Sequence, residues 1–479
     1  MLENILDWIE TNRKKFTEIS DRIWSYAEVR WTEKKSSALL VKHLEEAGFD
    51  IQRDVADIPT AFIASYGTEK PVIGLLGEYD ALAGLSQVTE TKKKPVKEGD
   101  SGHGCGHNLL GTASFAAALA VKEAIDSGEV KGTIRFYGCP AEEGGSGKTF
   151  MVKAGFFADL DLAMTWHPGP FNRVASYNLL ARYSVVFKFH GKAAHAASAY
   201  NGRSALDAVE LMNIGVNYLR EHIIPDARLH YVILKGGEAP NIVPAEAEVW
   251  YYVRAPDTRT VEEIYQRVLK IAEGAALMTE TDVEVEFLTG SSNLLLNNVL
   301  EKVILEKMNF VGSPKFNEEE IKFAQKLRET FPPGSIKNLL ATLPPELQEL
   351  KEQLKDQIMC DRVIPPFLKG KVLPGSSDVG DVSWATPTAQ FSTACCALGT
   401  PGHSWQLVAQ AGMSIGHKGM LTAAKILALA AIEMMKKPEL VELARQEFEE
   451  KIKKQPYIFP MPDGTKLPFA RQEKDLERK

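Results

Sequence analysis

The stretch KGTIRFYGCPAEEGGSG, residues 131–147, opens as a strand and closes as a turn bearing two carboxylates. Residues 133–138 form a continuous apolar run of strand length, the signature of a strand buried on both faces. Glu142 and Glu143 follow at once, with Gly144, Gly145 and Gly147 leaving the backbone free to curl. Successive residues in such a turn point different ways, so one carboxylate can hold a cation while the other faces a water. An isolated pair of this kind is more often two solvated loop glutamates; the strand before it and the glycines after it shift the balance here. Similar short apolar runs lie at 61–66, 71–76, 162–166 and 389–398. Helix-period segments lie between and around them, at 3–28, 33–47 (ended by Gly48), 109–126 and 417–435. Buried strands alternating with helices predict an α/β domain built on a mostly parallel sheet.

From about residue 181 the texture changes. Tyr183, Val185, Phe187 and Phe189 alternate with more polar neighbours, as do Val283, Val285 and Phe287, which predicts strands with two unlike faces. Between them come a helix at 204–221, strands at 228–234 and 247–254, and a helix at 261–278. The order β-α-β-β-α-β is the ferredoxin-like arrangement, expected here as a second domain at 181–292 inserted into a first formed by 1–180 and 293–479. Residues 310–372 are polar, helical and interrupted by FPPGS, TLPPEL and IPPFL, and no role attaches to them. The charged tail, 437–479, is expected to pack loosely.

The 479 residues are 44% hydrophobic and 25% charged, which suits a chain with a sizeable core. The net charge of −7 and the lack of a basic block argue against a nucleic-acid partner. No run of 18 apolar residues and no signal-like start appear, so no membrane span is expected. Five sparse cysteines, irregularly spaced, point to a reducing compartment, and the protein is expected in the cytoplasm.

Four further segments put metal-binding residue types just after predicted strands: GEYDAL (77–82), GHGCGHN (102–108), TWHPGP (165–170) and GTPGHSW (399–405). In open α/β sheets ligands bind at the carboxyl ends of the strands, where such distant segments meet. Cys105 and His107, two apart among glycines, let a thiolate and an imidazole reach one cation. The same turn also reads as a buried Cys with a helix-capping Asn108, or as a nucleophilic Cys105 activated by His103 or His107. His167 and His403 gain weight from sharing strand-end positions with that turn. Asp80 suits the orientation of a ligand imidazole.

Together GEYDAL, GHGCGHN, PAEEGG, GKAAHAA (191–197) and the GSSDVGDVSW…GTPGHSW region resemble, in order and spacing, the M20 family of metallopeptidases and amidohydrolases. The resemblance spans at least residues 10–435. The Cys-Gly-His turn is similar to the Cys-ligand amidohydrolase branch, and GTPGHSWQLVAQ with GHKGMLTAAK to hydrolases of p-aminobenzoyl-glutamate within it. It implies a zinc-peptidase-like catalytic domain with an inserted lid or dimerisation domain, cleaving amide bonds of small N-acyl amino acids. It implies Cys105, His107, Glu143, His167 and His403 as ligands of two divalent metal ions, Mn²⁺ or Zn²⁺, with Glu142 as general base and Asp80 in support. Glu78 stands where many M20 peptidases carry a histidine and receives no role. His195 of GKAAHAA matches a histidine that reaches the active site, often the partner subunit's, and donates a hydrogen bond to the developing oxyanion. Asn241 and Arg254 match substrate contacts; otherwise they read as a turn residue and a solvent-facing strand residue. A homodimer is implied, with a related second subunit as a further partner. A dipeptidase or aminoacylase of the same family, a metal-free Cys105 hydrolase and a non-catalytic binding dimer are the rival readings.

Overall fold

The computed structural model describes residues 2–469, and the chain divides into two compact units. The larger comprises Met1–Tyr177, Leu295–Lys371 and Val382–Gln455; the smaller comprises Asn178–Leu294, Val372–Asp381 and the chain from Pro456.

In the larger unit seven strands lie in the order Asp50–Arg53, Phe62–Tyr66, Thr133–Cys139, Val72–Glu78, Leu162–Gly169, Thr388–Ala394 and Arg173–Val174. The inner four run parallel, so their carboxyl ends share one edge of the sheet. The outer three pair antiparallel. The Ala-rich helix His107–Asp126 packs on the sheet and is buried almost all round. Its small side chains bring it close: a Cβ on Gly111 would lie 2.5 Å from the Glu78 carbonyl oxygen. Ser114 Oγ donates to Leu76 O across the same contact, at 2.7 Å. The close approach fixes the start of the helix beside the end of Val72–Glu78. The helix Ser414–Lys436 is apolar and long enough to cross a membrane, yet 83% of its apolar window is buried in the protein. It packs on His107–Asp126 in the main core, where each fully buried large apolar side chain contributes roughly 1.5–3 kcal/mol.

Residues 310–372 carry the helices Glu318–Arg328, Ser335–Ala341 and Gln348–Lys355. They back the turn after Thr388–Ala394: Leu398 N donates to Ile358 O at 2.9 Å and Gln406 Nε2 to Thr330 O at 3.2 Å. The tail differs from expectation. Pro438–Lys454 is a helix whose Ala444 carbonyl accepts from Asn297 Nδ2 at 2.8 Å, and Glu447 accepts from the N–H groups of Asn298 and Val299. Its apolar face and these caps hold it against Asn298–Val311, so it is not loosely packed. The end of the tail, residues 470–479, lies outside the described residues.

The smaller unit is a four-stranded antiparallel sheet, in the order Asp282–Ser291, Ala181–His190, Glu246–Ala255, Arg228–Lys235, with the helices Ala205–Leu219 and Thr258–Thr279. Ala247, Val249, Tyr251, Val253 and Ala255 alternate into its core with both helices. Two segments expected in the larger unit join it. Val372–Leu373 pairs in parallel with Asn178–Leu179, and the Tyr457 hydroxyl donates to Asp381 Oδ1 at 2.8 Å. Gly290, lacking a Cβ, lets Pro460 O rest against the strand.

Candidate metal centre

Asp80 follows the strand Val72–Glu78 and is buried. Its Oδ1 lies 2.8 Å from His107 Nδ1, and its Oδ2 accepts from Glu143 N at 2.8 Å. One carboxylate therefore fixes two of the candidate ligands. The Asp80 contact directs the His107 Nδ1 proton and leaves Nε2, buried and without a hydrogen bond, as the free lone pair. Burial opposes charge on His107, but Cys105 and Asp80 beside it raise its pKa well above the usual histidine range, so a cation held at Nε2 would take the place of a proton there. Burial works against the Asp80 carboxylate too, and His107 more than offsets it, lowering the Asp80 pKa.

Cys105 Sγ lies 3.3 Å from His167 Nε2, and His167 Nδ1 lies 2.8 Å from Pro168 O, which leaves Nε2 as the free acceptor. The Glu143 Oε1 atom is buried without a hydrogen bond and lies 3.5 Å from His403 Nε2. His403 sits at φ +50, a left-handed conformation uncommon for a non-glycine residue, and its N–H donates to Gly104 O at 3.1 Å. That bond ties the GTPGHSW turn to the GHGCGHN turn. Donor atoms within 4.8 Å of one another form three groups among the described residues: Cys105, His107 and His167; Cys105, Glu143 and His403; Glu78, His107 and Glu142. Cys105 is common to the first two. Thiolate, imidazole and carboxylate in one cluster, with His107 Nε2 and Glu143 Oε1 buried and without a hydrogen bond, would suit two divalent cations.

Burial, with the Glu143 carboxylate beside it, pushes the Cys105 thiol well above its usual range, the reverse of what a metal-free nucleophile needs. His103 is no activating base: it is buried, its Nε2 faces Ile23 O at 3.0 Å, and burial depresses its pKa to about 3. Asn108 does not cap its helix, since Gly106 is the N-cap residue; its Nδ2 donates to Ser20 Oγ and Ala411 O, both at 3.0 Å.

Four side chains at the site went without a role in the sequence. Glu78 Oε2 lies 3.3 Å from His107 Nε2, and Lys148 Nζ lies 2.7 Å from Glu78 Oε1, both side chains being buried. Glu33 is buried behind the Glu142–Glu143 turn, where Oε1 accepts from Trp31 N at 2.9 Å and Ala141 N at 2.8 Å. Arg30 Nη1 donates to Glu143 O at 3.2 Å, so residues 30–33 grip the turn at both ends. Glu78 had a visible signal, a carboxylate two residues before Asp80; Glu33 and Lys148 had none.

In the smaller unit His195 and Asn241 lie together on adjoining loops: Ala196 N donates to Asn241 O at 2.9 Å, and both residues are exposed. His195 Nδ1 accepts from Ala197 N at 3.0 Å, which leaves the Nε2 proton as a donor. Arg254 does not face open solvent. It is half-buried in its strand, its guanidinium 5.3 Å from the Tyr252 ring and its Nη1 donating to Pro374 O at 3.3 Å.

A parallel sheet whose strand ends gather these donors, in a chain interrupted by a two-layer α/β unit, defines a metal-dependent hydrolase. Residues 181–279 match the peptidase dimerisation domain of the M20 family. The chain is 48% identical to one of the subunits of the p-aminobenzoyl-glutamate hydrolase of Escherichia coli, over 96% of this chain and 97% of that one. It is 28% identical to the human Xaa-Arg dipeptidase, over 94% and 92%. Among solved structures, a dinuclear metal-binding M20 peptidase from Bacillus subtilis superposes with a TM-score of 0.57 at 16% identity, covering 89% of this chain and 99% of that one. This chain belongs to the M20 family, and it is a hydrolase of amide bonds.

Proposed function

We propose that the chain cleaves the amide bond of small N-acyl amino acids, with p-aminobenzoyl-glutamate as the first candidate substrate. The observation that carries this reading is the convergence of Cys105, His107, Glu143, His167 and His403, with ligand atoms on His107 and Glu143 buried and not hydrogen-bonded, beside Glu142. The likeness to the E. coli hydrolase along nearly the whole chain supports the substrate class. The five ligands would hold two cations, Mn²⁺ or Zn²⁺, which when bound polarise the scissile carbonyl and acidify the attacking water. Asp80 keeps His107 in the ligating tautomer and anchors the Glu143 backbone. Glu142 takes the proton of the attacking water and returns it to the leaving amine nitrogen. His195, with its Nε2 proton free, is the proposed donor to the developing oxyanion, and Asn241 and Arg254 the proposed substrate contacts.

The smaller unit is the proposed lid and dimer contact of a homodimer, or of a pair with a related second subunit. Its edge strand Arg228–Lys235 exposes Tyr231, Val232 and Ile233, which supports pairing there. All five cysteines are free, which supports a reducing, cytoplasmic setting.

The test is metal-loaded protein against a panel of N-acyl amino acids, with free amine measured and Glu142→Gln in parallel. Glu142→Gln should keep the metal content of wild type and lose about 10²–10⁴-fold in turnover. Turnover within about threefold of wild type, on the scale of that expected loss, removes Glu142 as the base.

A further inference from the structure

The antiparallel end of the larger sheet holds a cation that the proposed reaction does not use. Residues His167, Ser392 and Arg173 are register partners across three adjacent strands, so their side chains share one face of the sheet. The next residues over, Trp166, Phe391 and Val174, pack into the main core on the opposite face. Arg173 therefore stands on the side from which His167 contributes to the metal centre. Its Cα lies two strand spacings from that of His167, roughly 10 Å.

The guanidinium is boxed by three rings, 5.5 Å from Phe171, 5.3 Å from Tyr177 and 5.5 Å from Phe367. The Arg173 side chain makes no ion pair or hydrogen bond among the described residues. Its Nη1 is closed off from solvent without a partner, leaving Nε and Nη2 as the accessible donors. The ring faces hold the guanidinium by cation–π attraction and leave its remaining donors unpaired, so an arriving carboxylate can form a bidentate pair with it. The rings also fix the fork, so little conformational freedom is lost on binding. Phe367 comes from residues 310–372, which gives that segment a part in the site.

We infer that Arg173 is an anion-recognition residue that binds the side-chain carboxylate of an acidic acyl amino acid. The α-carboxylate sits one carbon from the scissile amide nitrogen and would stay near the metal ligands. A carboxylate several bonds farther out, as in an acylated glutamate, suits the separation of Arg173 from His167. The inference rests on the hydrolase reading and adds the residue that selects the acidic side chain.

The test compares N-benzoyl-glutamate with N-benzoyl-glutamine, which keeps the α-carboxylate and the shape but removes the distal charge. Metal-loaded Arg173→Met should lose about 10–100-fold in kcat/KM for the glutamate compound, mostly in KM, as expected for a charged hydrogen-bonded pair. The glutamine compound should change less than about threefold, the spread of a merely local packing change, with metal content unaltered and Arg173→Lys intermediate. Free glutamate, titrated calorimetrically into the metal-loaded protein, should bind wild type and not Arg173→Met. That arm tests the inference even if neither compound is hydrolysed, an outcome that would count against the hydrolase reading instead. Equal losses on both compounds, or unchanged glutamate binding, overturn the assignment and leave Arg173 as a strut among aromatic rings.

Discussion

Glu33 is bonded to the start of the turn that carries Glu142 and Glu143. That turn begins at Ala141, held at φ +59, and a single Glu33 oxygen accepts from the Ala141 and Trp31 N–H groups while the other lies 3.1 Å from Thr60 Oγ1. Burial, and then the Asp80 charge, push the Glu33 pKa up to about 8. Folded protein therefore holds a proton on Glu33 that unfolded protein, with an ordinary glutamate pKa of about 4.3, releases. The stability this group contributes is fully present below the unfolded pKa and is lost as pH rises through 8. Glutamine keeps the acceptor and supplies a donor to Thr60. Glu33→Gln should therefore remove a downward slope in Tm between about pH 4.5 and 8 while turnover stays near wild type. Glu33→Ala should instead lower kcat at constant metal content, because the turn under Glu142 loses its anchor. Parallel Tm–pH curves for wild type and Glu33→Gln would refute the titration, and an undiminished kcat in Glu33→Ala would refute the anchoring.

At the scale of elements, the metal centre depends on how closely the helix His107–Asp126 approaches the strand Val72–Glu78. Gly111 sets the limit, since a Cβ there would meet the Glu78 carbonyl oxygen at 2.5 Å, and backbone cannot swing aside as a side chain does. Gly111→Ala should push the helix outward, at a cost of about 1–3 kcal/mol for an overpacked core. Because His107 begins that helix, its Nε2 would withdraw from Cys105 and His167 together. Denaturant melts and metal titration should show lost stability and weakened metal binding in the same variant. Lost stability with wild-type metal affinity would mean that the helix start is positioned independently, by Asp80 alone.

At the scale of the whole molecule, residues 181–279 match a dimerisation domain, and His195 lies in it while the proposed metal ligands lie in the other unit. If His195 acts on the partner subunit's site, mixing inactive His195→Ala with inactive Glu142→Gln should restore part of the activity, because some mixed dimers carry one intact composite site. Subunit exchange shown by mass spectrometry without recovered activity would place His195 in the service of its own chain. Periodicity, a local property, was enough to predict a parallel-sheet α/β unit and a βαββαβ insertion, while strand-end motifs marked Asp80, Cys105, His107, Glu142, Glu143, His167 and His403 as candidates and the family resemblance chose among their readings. A strand end can be read from a short window because burial of its apolar run and the turn that follows are encoded side by side. Only tertiary structure assigned Glu33, Lys148 and Arg173, and only it moved 372–381 and the chain from Pro456 into the smaller unit. Each of those depends on contacts across a long sequence separation, a carboxylate meeting a distant N–H or a guanidinium meeting a ring from another segment. The energy that selects their partners exists only once the fold has brought them together.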